Sequence, residues 1–342
     1  MNSESKIYDR PFVTYKEQIE KLRDIYGLRI EDESFAIHAL STISYYDLVN
    51  GYQECFMPSG TYINGITLEY LYNFHLFDKD FQNILIKHSL LIENIFKTKL
   101  SYIIAKNIGV EAENYLNQKH YKRIDKNPTS NQILEKIKNV YKIKTEYVDN
   151  PTKHYIKTKN HIPPWILFKN VSFVSVIELF SILSTKEKYE LTNEIIPSDR
   201  ISYSMKVEHL KNSLTIIRKF RNKIAHNLKF ITFESKGFNL NSKVIHELCP
   251  HELITNKEGI MDKEILRVYK FLLAIVTFYN DNPYLLNRLM FDMFQHLKMD
   301  SITNRNKNTF NEYHIITALP ADLESRIEKY IDNLGKNISI KQ

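Results

Sequence analysis

The run Arg221-Asn222-Lys223-Ile224-Ala225-His226 places a fixed cation and a titratable imidazole about one helical turn apart. A guanidinium that keeps its charge binds a phosphate, and an imidazole with a pKa of about 6.5 both takes and gives protons near neutrality. Together they have the chemistry to cut RNA without a metal, because RNA supplies its own nucleophile, the 2′-hydroxyl. At about 100° per residue His226 is turned roughly 140° from Arg221, while Asn222 lies one turn below His226 on the same face. A plainer reading stands beside this one. The pattern Arg-x-x-x-x-His arises often by chance, with His226 and Asn227 merely ending a helix where a cation and an Asn are favoured.

The element that must hold these residues is an amphipathic helix expected over 204–227. Leu210, Leu214, Ile217, Ile224 and Leu228 recur at spacings of three and four, with one longer gap, and Arg221 falls in that gap of the stripe. A guanidinium among core positions requires a carboxylate, a phosphate or a water-filled cleft beside it.

Other helices follow from caps and periodicity. Residues 14–27 open on the capping box Thr14 and Glu17 and stop at Gly27; a second helix is expected over 32–43, and 51–65 reads as irregular. The pattern turns helical again from Thr67, and periodicity is strong over 80–107. One helix is expected over 131–145, another over 163–184 behind Pro163-Pro164-Trp165, and a third over 186–195. Residues 230–259 read as a loop or small hairpin, Asp262 as the cap of a helix reaching Tyr279, 299–311 as a mobile polar tail, and Pro320 as the start of a last helix. No run of alternating strands is evident, so the expected class is all-α, with regions 1–65, 66–300 and 301–342.

Charge is unevenly placed. The chain has 342 residues, 47 Lys and Arg, 40 Asp and Glu, and a net charge of +7. Residues 117–159 alone carry eleven Lys and Arg against four Asp and Glu, an excess equal to that of the whole chain. Lys136, Lys138, Lys142 and Lys144, with Tyr141 among them, are the candidate RNA-binding residues, lysines for the backbone and the tyrosines of the segment, Tyr121, Tyr141, Tyr147 and Tyr155, available for unpaired bases. A lysine-rich solvated surface explains the same run. Tyr45, Tyr46, Tyr52 and Trp165 are read as packing residues. His246, Cys249 and His251 supply three donors without a matching fourth, so no metal site is expected, and no cofactor. Cys55 and Cys249 are too few for a disulfide framework. Residues 1–10 lack an apolar signal core and 166–183 is broken by Lys169, Asn170 and Glu178, so the expected location is cytoplasmic, with no membrane partner.

Five blocks in order carry a resemblance: Arg10-Pro11-Phe12-Val13-Thr14-Tyr15-Lys16-Glu17-Gln18-Ile19; Phe35-Ala36-Ile37-His38 with Ile43-Ser44-Tyr45-Tyr46 and Gly51-Tyr52; Ile92-Glu93 with Lys97-Thr98-Lys99-Leu100; Pro163-Pro164-Trp165; and the 221–226 motif. The chain resembles the Abi family of bacterial abortive-infection proteins, the AbiD and AbiF group, whose C-terminal motif belongs to the HEPN superfamily. It departs from that pattern at Asp47, Lys97, Asn227 and Lys229. The resemblance implies a HEPN-like helical bundle that forms a homodimer with the two motif helices facing each other. It implies an antiphage, toxin-like endoribonuclease with Arg221, Asn222 and His226 as catalytic residues and Glu93 and Lys97 in support. RNA is the implied substrate, and a small noncoding RNA is permitted as an inhibitor. The alternative is a non-catalytic RNA-binding or phage-sensing module that uses the same residues to hold RNA.

Overall fold

Eight glycines and ten prolines leave long stretches of chain free to stay helical. In the computed structural model, which describes residues 9–142, 148–255, 266–303 and 309–339, the all-α expectation holds. Among the described residues the only β pairing is two isolated bridges, Arg29 with Thr67 and Tyr121 with Leu183. The chain divides into two compact units, residues 1–80 and 81–342.

In the first unit, α1 (Tyr15–Asp24) starts at the expected capping box: Thr14 Oγ1 accepts the Glu17 amide at 3.3 Å and Glu17 Oε2 accepts the Thr14 amide at 2.6 Å. Gly27, at φ +67°, turns the chain after it. The next helix, α2 (Glu33–Thr42), is capped by Asp32 and packs on α1. A π-helical turn, Tyr46–Asn50, precedes the segment 51–65, which is irregular as expected apart from the short α3 (Gln53–Phe56). Tyr52 is buried as expected, its hydroxyl 3.0 Å from both Asp78 Oδ2 and His75 Nδ1, whereas Tyr46 is exposed and does not pack.

The helical pattern expected from Thr67 and the periodic stretch after it form one helix, α4 (Leu68–Asn107). Within the second unit its residues from Phe81 onward form a spine, burying Phe81, Leu85, His88, Ile92, Phe96, Leu100 and Ile103 at helical spacing. Around it lie α5 (Ala112–Tyr115), a 3₁₀ turn (Gln118–His120), α6 (Ser130–Lys142), α7 (Thr152–Thr158), α8 (Pro164–Leu167), α9 (Phe173–Ile182), α10 (Thr185–Ile195), α11 (Tyr203–Ala225), α12 (Ser242–Leu248), α13 (Arg267–Phe278), α14 (Pro283–Thr303), α15 (Phe310–Thr317) and α16 (Leu323–Ser339). The single helix expected over 163–184 is two, because Ser172 caps a new start by accepting the Ser175 amide. Within 230–259, α12 forms where Asn241 caps the Val244 amide. Asp262, the expected cap of α13, lies outside the described residues. The expected polar tail is helical through Thr303 and again from Phe310, and its middle, 304–308, lies outside the described residues.

The core of this unit is α13, whose side chains from Val268 to Phe278 are all buried, and α11 packs against it and against α9 and α10. On the other flank α16 packs against α14. Among the described residues no helix is long and apolar enough to cross a membrane.

Candidate functional site

Helix α11 buries His209, Leu210, Ser213, Leu214, Ile216, Ile217 and Phe220, and there its core contact ends. The expected stripe does not continue: Ile224 is half-buried and Leu228 is exposed. The cause lies in Phe220. Its ring stacks on Phe271 of α13 at 4.7 Å and 10°, and Phe233 and Phe230 close on it edge-on at 4.9 and 5.7 Å. The chain therefore folds back after α11, buries Phe230 and Ile231 in the core with Phe233 half-buried beside them, and leaves the last helical turn at the surface. Lys223, inside the motif, lies over the Phe233 ring at 5.0 Å.

The turn-back is a Schellman closure. His226 is the C-cap, Asn227 adopts φ +50°, its amide reaches Ile224 O at 3.0 Å, and the Leu228 amide reaches Lys223 O at 2.9 Å. This much agrees with the plainer reading of His226 and Asn227 as a helix end. The imidazole of His226 is exposed and has no hydrogen-bond partner among the described residues.

Arg221 has the carboxylate its position required. Its Nη2 donates to Glu93 Oε2 at 3.0 Å and its Nη1 to Asn222 Oδ1 at 3.1 Å. The other oxygen of Glu93 takes Lys97 Nζ at 2.7 Å, one turn further along α4. Glu93 and Lys97 are about seven-eighths buried, and Arg221 is 29% exposed. One carboxylate thus aims two cations and leaves the cluster with a net positive charge. Arg221 carries five N–H donors, of which two are used among the described residues, so its outer edge can grip an anion. Sequence reasoning brought Glu93 and Lys97 in only by resemblance; their spacing of four on a periodic helix is the local signal, and it does not point to Arg221.

The basic segment is arranged differently from expectation. On α6, Ile133, Leu134 and Ile137 are buried against α9. Lys136 Nζ lies 3.2 Å from Glu178 of α9, Lys138 Nζ lies 2.7 Å from Glu135, and the Tyr141 hydroxyl donates to Glu113 at 3.3 Å. Lys142 is exposed, and Lys144 and Tyr147 lie outside the described residues. Tyr121 is buried, not open to a base, because its hydroxyl satisfies Tyr115 O at 2.5 Å. Trp165, read as packing, is nearly half exposed. Cys55 and Cys249 are free thiols, and burial raises that of Cys249 far above its ordinary pKa. No three His, Cys, Asp or Glu side chains among the described residues are grouped to hold a metal ion, His246, Cys249 and His251 included.

A family model described as "Abi-like protein" matches residues 38–232, which is more than half of the chain and contains Glu93, Lys97, Arg221, Asn222 and His226. No curated protein and no solved structure matches the chain. With the matched span running from the first unit through the motif at the end of α11, the chain belongs to the Abi-like protein family.

Proposed function

We propose that this chain is an antiphage abortive-infection protein acting as a metal-independent endoribonuclease of HEPN type. The observation that carries the reading is Arg221 itself, clamped on one edge by Glu93 and Asn222 and open on the other, with an unengaged imidazole at His226 where α11 ends. Membership of the Abi-like family supports the defence role. In this reading a phosphodiester sits against the outer N–H groups of Arg221, which bind its non-bridging oxygens and the charge that grows on them as phosphorus becomes five-coordinate. A neutral imidazole takes the 2′-hydroxyl proton as the 2′-oxygen bonds to phosphorus. The bond to the 5′-oxygen then breaks, and an imidazolium returns a proton to that oxygen. The products are a 2′,3′-cyclic phosphate and a 5′-hydroxyl. One His226 per chain serves both proton roles if two copies pair their α11 helices across a two-fold axis, so the active form in this reading is a homodimer.

The test is incubation of total RNA with wild type and His226→Ala in the presence of a chelator. Cleavage by wild type and none by the variant is expected. Equal RNA binding by both, with cleavage by neither, would favour a non-catalytic RNA-binding or phage-sensing module instead.

A further inference from the structure

Away from Arg221, the exposed Lys122 and Lys211 lie close to the buried Lys188, each of the three on a different element and none in an ion pair among the described residues. Lys188 of α10 is 8% exposed, and its Nζ donates to Ser181 O at 2.7 Å, at the end of α9, with the Phe180 ring 5.8 Å away. An ammonium has three donors and a full charge, so one carbonyl and one ring face leave it poorly compensated in a buried place. Lys122 is brought there by the bridge between Tyr121 and Leu183, its amide donating to Ile182 O at 2.8 Å. Lys211 comes from α11, which packs on α10. Both are exposed, and no ion pair engages any of the three among the described residues. Burial pushes the Lys188 ammonium down to about 8, and Lys122 and Lys211 add to the shift, so each of the two exposed charges repels the buried one. The carboxylate of α10 that follows Lys186, Glu187, is turned onto the Ser184 hydroxyl.

Such an arrangement costs free energy in the unliganded protein, and an anion relieves it. Two exposed cations can reach the anion directly, while the buried one supplies field from beneath. Lys211 lies ten residues before Arg221, about 15 Å along α11. Arg218, seven residues after Lys211 and turned only about 20° from it, is half-buried on the same side of the helix. Two of the α6 lysines on which RNA binding was expected lack this character, since Lys136 and Lys138 already hold carboxylates.

We propose that Lys122, Lys188 and Lys211 form a second phosphate-binding site, which holds a backbone phosphate of the RNA strand whose scissile phosphate lies at Arg221. The inference rests on the ribonuclease reading for the identity of the ligand. The probe is a 2′-O-methyl RNA oligomer, which has no free 2′-hydroxyl and stays intact. Its affinity is measured at several chloride concentrations for wild type, for Lys122→Gln with Lys211→Gln, and for Lys136→Gln with Lys138→Gln. The first pair sits on the surface and leaves the fold in place, which circular dichroism checks. Each lost phosphate contact on a single strand lowers the salt slope by about 0.7, so the first pair should flatten it by about 1.4 and weaken binding about five- to tenfold, and the second pair should do less. An unchanged slope in the first pair, or an equal loss in both, overturns the site while leaving the ribonuclease reading intact. Absence of salt-dependent RNA binding by wild type overturns both. Inorganic phosphate is added at matched ionic strength as a further arm: displacement of the RNA by it beyond the effect of chloride, in wild type but not in the first pair, is expected, whereas phosphate that binds wild type through these lysines and leaves its RNA affinity unchanged would assign them to a free anion and overturn the strand assignment.

Discussion

Glu93 is shared between Arg221 and Lys97, and that sharing makes it the residue whose loss should be felt in two ways. Glu93→Gln keeps the shape and removes the charge. It should cost about 1–2 kcal/mol, below the figure for a fully buried pair because Arg221 keeps some solvent. Urea unfolding measures that cost, and no loss would show that the carboxylate is not compensating the guanidinium. The same substitution should slow RNA cleavage by freeing the guanidinium to rotate, whereas Lys97→Gln should do so less. His226→Ala should leave stability within about 0.5 kcal/mol, as an exposed side chain outside any hydrogen bond does. At this scale the sequence was partly legible. A charged residue in an apolar stripe announced its need for a partner, but the partner stands on another helix more than a hundred residues away, and nothing local names it.

The last turn of α11 is placed by aromatic packing and by a backbone closure, and each gives a prediction. Phe220→Ala should destabilise the protein by about 3–5 kcal/mol, since it removes the ring on which Phe230, Phe233 and Phe271 converge. Asn227→Gly should be neutral or mildly stabilising, while Asn227→Val should cost about 1–2 kcal/mol, because a β-branched residue is strained at φ +50°. Thermal melting of the three variants checks the order; equal melting of the Gly and Val variants would deny the left-handed closure its role. Caps and breakers were the legible part of the elements. Thr14, Glu17 and Asp32 set helix starts where expected, and Gly27 and Asn227 set ends. Short helices such as α12 were not legible, since seven residues carry less than two helical repeats. The join between α8 and α9 was missed because Lys169, Asn170 and Ser172 stand in a mostly apolar stretch with no Gly or Pro to mark the break.

Across the second unit, two buried imidazoles couple folding to pH. Burial pushes His209 down to about 3, and its neutral ring sits between the Asn241 amide and the Thr277 hydroxyl. Burial likewise pushes His88 down to about 4, against the partial pull of Asp292. Both are depressed in the fold, so the unfolded chain binds the extra protons. The stability they contribute is complete above the unfolded value of about 6.5 and falls by about 1.4 kcal/mol per pH unit for each ring as pH drops toward the folded values. Urea midpoints at pH 7.5 and 5 should therefore differ, and His209→Gln should narrow the difference; an equal drop in the variant would free His209 of that role. The all-α class and the family could be read from the sequence, the first from scarce breakers and the second from blocks spread along the chain. The location of free positive charge could not, because a run of lysines does not reveal that Glu178 and Glu135 already hold two of them. The most direct test of the central claim is the chemistry of the RNA ends. Total RNA is incubated with the protein and a chelator, and new termini are identified by their phosphates. Wild type should generate 2′,3′-cyclic phosphate and 5′-hydroxyl ends that His226→Ala does not. Ends bearing 3′-hydroxyl and 5′-phosphate, or cleavage by His226→Ala at the wild-type rate, would contradict the assignment of Arg221 and His226 to RNA cleavage.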